Sequence, residues 1–195
     1  MVYRVYAEKK PAFAHEANAL LTEARDILGI ASLEKVRVIN RYDVENIAKD
    51  LFEYAKKTVF SEPQLDTVSG NIDTSGAVAF AVEYLPGQFD QRAASAVDCV
   101  RLIDPSAQVR IRSSKLLLFD DAVSDEDLAR IRHYYINAVE SREKNLDVLT
   151  DMEQAEVKPV AVLEGFTKMT DAELEPCCKR YGLAMNADDL REVVK

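Results

Sequence analysis

The feature that most constrains the fold is an apolar strand that runs into a Pro-Gly turn and then into an amphipathic helix. Residues 78–85 alternate large apolar side chains with mostly alanines, which is a strand pattern. Pro86 cannot donate to a sheet ladder, and Gly87 tolerates the backbone angles of a sharp reversal, so the strand ends there. Apolar residues then recur at helical spacing, at Ala93, Ala96, Val97, Val100 and Ile103.

Polar residues occupy the corner between this strand and this helix. Gln88, Asp90, Gln91 and Arg92 lie where side chains stay accessible, so they are candidate binding residues. The local pattern by itself favours a structural interpretation, because helix starts commonly carry such residues and Asp90 suits the positive end of the helix dipole.

The chain repeats one plan of strands and helices, with a spacing of roughly 75 residues. The first half has predicted strands at 3–8, 36–42 and 64–68, with helices at 13–28 and 47–59. The second half has strands at 78–85, 109–112 and 115–119, with helices after 88 and after 124. Half-polar strands and two helices per half favour helices on one face of antiparallel sheets. We predict an α+β, ferredoxin-like duplication, in which halves 1–70 and 76–140 form a pseudo-dimer within a domain of residues 1–145.

Residues 146–195 differ in character and predict a helical linker. The segment begins rich in charge, and Thr170 with Glu173 then forms a capping-box pattern. That helix is predicted to end at Gly182, and Asn186 is a candidate cap for another. The helical pattern of the last residues continues to Lys195 without a helix stop signal, so we expect a fragment of a longer protein.

Composition excludes several classes of function. The formal net charge of −9 argues against non-specific nucleic-acid binding, which needs a basic surface. No apolar run approaches the roughly 20 residues that span a bilayer, and the N-terminus has no signal-peptide pattern. The three cysteines give no disulfide framework or metal spacing, and Cys99 is interpreted as a small packing residue. These features predict a cytosolic protein with no nucleic-acid or membrane partner.

The sequence contains no complete catalytic motif. No phosphate-binding glycine loop occurs, and neither His15 nor His133 has a partner motif. Cys177 and Cys178 are adjacent on a predicted helix without an evident base. No catalytic residue and no metal ligand is therefore predicted.

Charged residues suggest binding rather than catalysis. Glu62 and Glu140 occupy equivalent ends of the two halves and are interpreted as structural or interface groups. Arginines on the helix and strand after the corner could bind phosphate, although in an acidic protein such residues more often form ion pairs. They are Arg92, Arg101, Arg110 and Arg112.

The stretch 85–92, which reads Leu-Pro-Gly-Gln-Phe-Asp-Gln-Arg, resembles a motif of one enzyme family. The family is phosphoribosylformylglycinamidine synthase, the large, single-chain, glutamine-dependent amidotransferase of purine biosynthesis. The resemblance covers nearly the whole chain, and Ala138 departs from it because the family usually has proline there. The other similar stretches are 3–11, 40–44, 58–63, 136–143, 182–185 and 188–190.

The resemblance implies a role within a larger enzyme. The family's N-terminal domain is similar to a duplicated and fused version of a small accessory subunit, in agreement with the repeat. A glutaminase domain releases ammonia, and a synthetase domain uses it with ATP and Mg²⁺ to convert formylglycinamide ribonucleotide to the amidine. The catalytic residues and the ATP and metal ligands all lie beyond this chain, so we expect residues 1–195 alone to be inactive and to hold no cofactor.

By resemblance, residues 1 to about 140 bridge the synthetase and glutaminase domains and help seal the ammonia route. Polar residues at strand–helix corners suit such an interdomain interface. The candidate interdomain contacts are Gln88, Asp90, Gln91, Arg92, Glu62, Glu140 and Arg142.

Two other functions stay open. A free-standing module that senses small molecules would show ligand-dependent stabilisation by mass action. An oligomerisation domain would form a homodimer through exposed sheet edges. A fused pseudo-dimer favours a monomer, because its self-pairing surface is already used internally.

Overall fold

The computed structural model describes residues 1–121, 123–147, 149–152 and 162–194, and these form a mixed α+β protein. The described residues contain one six-stranded antiparallel sheet and six α-helices, which confirms the predicted α+β class. Residues 1–155 and 156–195 belong to two compact units. None of the described helices has both the length and the apolar character needed to cross a bilayer.

The first unit alternates strands and helices along the chain. Its strands are β1 (Val2–Lys9), β2 (Val36–Glu45), β3 (Asp66–Ser69), β4 (Ala77–Tyr84), β5 (Arg110–Asp120) and β6 (Ser141–Lys144). Its helices are α1 (His15–Asp26), α2 (Lys49–Thr58), α3 (Gln91–Ile103) and α4 (Asp125–Tyr135).

The sheet has the order β3-β1-β2-β5-β4-β6, and every neighbouring pair is antiparallel. The central pair, β2 and β5, runs in register from Val36 opposite Phe119 to Glu45 opposite Arg110. Since side chains alternate between faces, this register places even-numbered residues of β2 beside odd-numbered residues of β5.

The helices α1–α4 contribute to two apolar cores on one face of the sheet. The first core joins α2 and α3 to the strands, and its members include Val5, Val44, Phe52, Ala55, Ala96 and Val100. The second core joins α1 and α4 to the strands, and its members include Leu20, Ala24, Phe80, Leu117, Phe119, Leu128 and Ile131. The opposite face carries a smaller apolar cluster around Ile39, Leu116 and Leu118. It is here called the helix-free face because α1–α4 pack on the other side of the sheet.

The helix-free face also carries a buried ionic network centred on Asp43. The Asp43 carboxylate accepts hydrogen bonds from Arg4 Nε at 2.6 Å and Arg41 Nη2 at 2.9 Å, and Lys144 Nζ lies 3.3 Å away. Burial alone would raise the pKa of Asp43, but the Arg4 hydrogen bond and the charges of Arg41 and Lys144 outweigh it and lower the pKa. The network is therefore held in its ionised form.

The two arginines of this network also hold the chain that follows β6. Arg41 Nη1 donates to the carbonyl of Asn145 at 2.9 Å. Arg4 donates to the carbonyls of Leu146 and Asp147, each at 2.9 Å. Residues 145–147 are thus fixed against β1 and β2 by charge-assisted hydrogen bonds.

Most predicted elements of the first unit are confirmed, with two corrections at the strands. The predicted strands 109–112 and 115–119 are not separate, because a single strand, β5, runs from Arg110 to Asp120. The strand β6 was not predicted, since its sequence Ser-Arg-Glu-Lys is charged and lacks apolar alternation. A short edge strand of this kind is stabilised by pairing with β4 rather than by its own pattern.

The second unit contains α5 (Asp171–Tyr181) and α6 (Ala187–Val194). The capping box of Thr170 and Glu173 is present, and α5 ends at Gly182 in the left-handed conformation, so both predictions are confirmed. The Asn186 side chain accepts from two backbone amides in the first turn of α6, as predicted. Within the predicted linker 146–195, residues 148, 153–161 and 195 lie outside the described residues.

The buried network predicts a large effect of removing the charge of Asp43. In Asp43→Asn, the cations of Arg4, Arg41 and Lys144 lose their shared counter-charge, and we expect the free energy of unfolding to fall by about 3–5 kcal/mol at neutral pH. Urea denaturation of the purified chain measures this. The control Glu53→Gln, which breaks the more exposed pair with Lys56 on α2, should cost no more than about 1 kcal/mol.

The loss of stability in Asp43→Asn should depend on pH. A carboxyl with a lowered pKa stabilises the fold above its unfolded pKa of about 3.9, and this contribution is lost as the pH falls through the folded value. The stability difference between wild type and Asp43→Asn should therefore be largest at neutral pH and shrink below about pH 4. A difference that is constant down to pH 3 would contradict this account.

Candidate functional site

Polar side chains interrupt the apolar helix-covered face of the sheet at its centre. Tyr42 of β2 and Ser113 of β5 are directly paired, and Asn40 and Lys115 form a second pair beside them. A cleft of about 610 Å³, here called the central cleft, opens above this region. Its walls come from β4, β5, α3, the C-terminal end of α4 and the turn before β6.

Asp90 fixes the start of α3 against the central strand β5. Its carboxylate accepts from the backbone amide of Ala93 at 2.9 Å, which makes it the N-cap of α3. It also accepts from the amide and the hydroxyl of Ser113, both at 2.8 Å. The geometry of Asp90 is that of a structural cap, and it positions the residues that follow it.

Arg92 is the basic residue that this cap presents to the cleft. Its Nη1 donates to the Tyr42 hydroxyl at 3.2 Å, across the gap between α3 and β2. Arg92 is the second residue of α3, where a cation opposes the positive end of the helix dipole at a cost of about 0.3–1 kcal/mol. Helix stability therefore does not explain an arginine at this position.

Beside Arg92, Glu16 of α1 links three elements. Its carboxylate pairs with Lys115 of β5 and accepts a hydrogen bond from the Tyr135 hydroxyl of α4 at 3.3 Å. Burial, together with the negative charge of Glu16, raises the pKa of Tyr135. Tyr135 therefore stays protonated and acts as a hydrogen-bond donor at physiological pH.

The structure brings together some of the sequence-predicted site residues. Gln91, Arg92 and Glu140 line the same cleft. Gln88 lies at the exposed corner, where its side-chain amide donates to the Val139 carbonyl at 3.4 Å. Asp90 lies beneath this corner as the cap of α3.

Two other predicted site residues lie elsewhere. Glu62 is 3.7 Å from Lys9 and lines a second cleft, of about 910 Å³, on the other side of Arg92. Arg142 lies on the helix-free face, where it donates to Glu83 at 2.8 Å. The seven residues therefore do not form one site.

The structure does not bring the four arginines to one site. Arg101, Arg110 and Arg112 line a cleft of about 390 Å³, whereas Arg92 lines other clefts. Arg110 is on the helix-free face, where it pairs with Glu45, whereas Arg92 lies on the helix-covered side. The sheet separates them, because alternation puts even-numbered residues of β5 on the face opposite the helices.

Sequence reasoning missed several residues of the cleft. Tyr42, Ser113 and Lys115 interrupt the apolar alternation of the two central strands, and this signal could have been read from the sequence. Cys99 was interpreted as a packing residue, but it is exposed and lines the cleft. Glu16 and Tyr135 reach the site only through helix packing, which no local pattern specifies.

The cleft offers fixed hydrogen-bond donors and a guanidinium group, which suit the binding of a polar or anionic group. Among the described residues, no histidine or cysteine is hydrogen-bonded to a carboxylate, and no cluster of His, Cys, Asp and Glu could hold a metal ion.

This chain matches no protein-family model, and no curated protein matches it. Inference about function therefore rests on the sequence motifs and on the geometry of the described residues.

The cap at Asp90 gives a testable prediction. Asp90→Ala should lower the free energy of unfolding by about 1–2 kcal/mol, because the Ala93 amide and the Ser113 groups lose their acceptor. Asp90→Asn should recover much of this loss, since asparagine also caps helices well. Asp98→Ala, which removes a charge from the exposed side of α3, is the control and should change stability by no more than about 0.5 kcal/mol. Equal losses in Asp90→Ala and Asp98→Ala by urea denaturation would refute the capping role.

Proposed function

We propose that this chain is the N-terminal domain of a phosphoribosylformylglycinamidine synthase, and that it bridges the synthetase and glutaminase domains of that enzyme. The parent enzyme would make formylglycinamidine ribonucleotide from formylglycinamide ribonucleotide, ATP and glutamine in the cytoplasm. In this proposal the chain itself provides a surface, while ATP, Mg²⁺ and the catalytic residues belong to the rest of the parent protein.

The observation that carries the proposal is the meeting of two stretches that resemble this family. The Leu85 amide donates to the Glu140 carbonyl at 2.8 Å, and Gln88 donates to the Val139 carbonyl. The motif at 85–92 and the stretch at 136–143 are distant in sequence but adjacent in space. Two family-like stretches that form one surface support a shared role for that surface.

This surface, here called the corner surface, consists of Pro86–Phe89 with Val139 and Glu140. Phe89 is 74% exposed and Val139 is 79% exposed, although both are apolar. Exposed apolar side chains surrounded by polar groups are typical of interaction sites. The corner surface is therefore our candidate for contact with the missing domains.

The order of the strands supports the proposed duplication. Each half runs β-α-β-α-β along the chain, and the sheet order places β2 beside β5, β1 and β4 outside them, and β3 and β6 at the edges. A fused pair of identical small subunits joined through their inner strands would give this order. We propose that the predicted halves, 1–70 and 76–140, are two copies of one ferredoxin-like unit, with the second copy extended to the end of β6 at Lys144.

The coding sequence beyond codon 195 tests the identity of the parent protein. We expect the reading frame to continue into a synthetase region and then a glutaminase with its Cys, His and Glu. The encoded protein should convert formylglycinamide ribonucleotide, ATP and glutamine to the amidine. A frame that continues into unrelated domains, or a stop codon at this point, would reject the proposal.

The bridging role predicts that substitutions at the corner surface uncouple glutamine hydrolysis from amidine formation. In the full-length enzyme, Gln88→Ala combined with Phe89→Ala should raise the amount of glutamine hydrolysed per amidine formed several-fold, because ammonia escapes from a poorly sealed interface. The matched control is Leu102→Ala, which removes an exposed apolar side chain of α3. An unchanged ratio in a normally folded double variant would contradict the bridging role.

A specific observation favours the second function, a module that senses small molecules. The central cleft has a volume of about 610 Å³, within the range of roughly 300–1,000 Å³ for ligand sites. The two functions predict different coding sequences after codon 195.

A further inference from the structure

The guanidinium group of Arg92 is the cationic group of the central cleft that the fold uses least. Among the described residues it forms one hydrogen bond, to Tyr42, and no ion pair. A guanidinium has five N–H donors, so most of those of Arg92 have no partner among the described residues, and Arg92 lines the cleft. Arginine is also the side chain best suited to bind a carboxylate or a phosphate through two parallel hydrogen bonds.

The carboxylates nearest to Arg92 are engaged elsewhere. Burial alone would lower the pKa of Arg92, but its interaction with Tyr42 and, to a smaller extent, the charges of Glu16 and Asp90 outweigh this effect and raise the pKa. Asp90 accepts three hydrogen bonds from Ala93 and Ser113. Glu16 is bound to Lys115 and Tyr135. Neither carboxylate is placed to satisfy the guanidinium of Arg92 directly.

Other groups around Arg92 are suited to an organic ligand. The Tyr42 hydroxyl accepts from Arg92, and no acceptor among the described residues takes its own proton. The hydroxyl of Ser95 and the side chain of Gln91 line the same cleft. Apolar side chains from three elements complete the lining, and they are Val59, Val82 and Ala96.

We propose that this cleft binds a small organic anion whose carboxylate or phosphate group is held by the Arg92 guanidinium and the Tyr42 hydroxyl. The apolar lining would contact the carbon skeleton of the ligand. Glu140 lines the same cleft, and the protein has a net charge of −9, so a large polyanion is disfavoured. This site does not depend on the bridging role, since it requires only the first unit of the chain.

Binding to the 195-residue protein tests the proposal directly. The probes are sodium succinate for carboxylates and sodium phosphate for phosphates, each compared with sodium chloride at equal ionic strength. We expect at least one probe to raise the melting temperature saturably and to bind in isothermal titration calorimetry. The probe that binds identifies the anionic group. If neither binds saturably at tens of millimolar, the proposal is overturned.

Substitutions at Arg92 and Tyr42 test whether the probe binds in the central cleft. Arg92→Gln should weaken the binding of that probe about 10- to 100-fold, since hydrogen bonds to charged groups are lost, and Tyr42→Phe should weaken it less. Arg101→Gln is the matched control, because it removes the same charge from α3 roughly 14 Å further along the helix. Circular dichroism checks that each variant is folded.

The control also defines the failure of the proposal. If Arg92→Gln and Arg101→Gln weaken binding equally, the effect is general electrostatics and the site is elsewhere. If Arg92→Gln does not fold, an NMR titration of the wild-type protein with the same probe tests the site instead. Shifts confined to Tyr42, Arg92 and Ser95 would support the site, whereas shifts spread over the surface would overturn it.

Discussion

The pairing of β2 with β5 is the interaction on which the rest of this structure depends. These two strands pair over ten residue positions at the centre of a six-stranded sheet, and they join the first half of the chain to the second. Because the pairing is antiparallel, the two helix-covered cores lie toward opposite ends of the same two strands. A single hydrogen-bonded ladder thereby fixes the positions of both cores.

The same register explains why a polar cleft lies between the cores. Tyr42 and Ser113 face each other near the middle of the ladder, and Lys115 lies one residue pair further along the same face. Apolar residues occupy this face toward either end. The starts of α1 and α3 deliver Glu16 and Arg92 to this polar centre, and their hydrogen bonds to Tyr135 and Tyr42 tie the helices to it.

Local sequence patterns predicted the elements well, but they could not predict which residues would meet. The α+β class and the caps at Thr170 and Asn186 result from short-range rules that the chain obeys. The length of β5 was underestimated because Ser113 and Ser114 interrupt its apolar pattern, while the charged strand β6 depends on pairing with β4. Strand alternation put Arg142 on the helix-free face, away from the other predicted site residues. Glu16 and Tyr135 joined the cleft through packing between helices distant in sequence.

Native-state hydrogen exchange tests most directly the claim that β2 and β5 unite both halves in one cooperative structure. We expect the amides of Val38 and Leu117 to be among the slowest to exchange, and both to exchange with the free energy of global unfolding. Amides in the inner parts of β1 and β4 should show the same transition. If one half instead opens at a much lower free energy while the other stays protected, the halves are independent, and the central claim is contradicted.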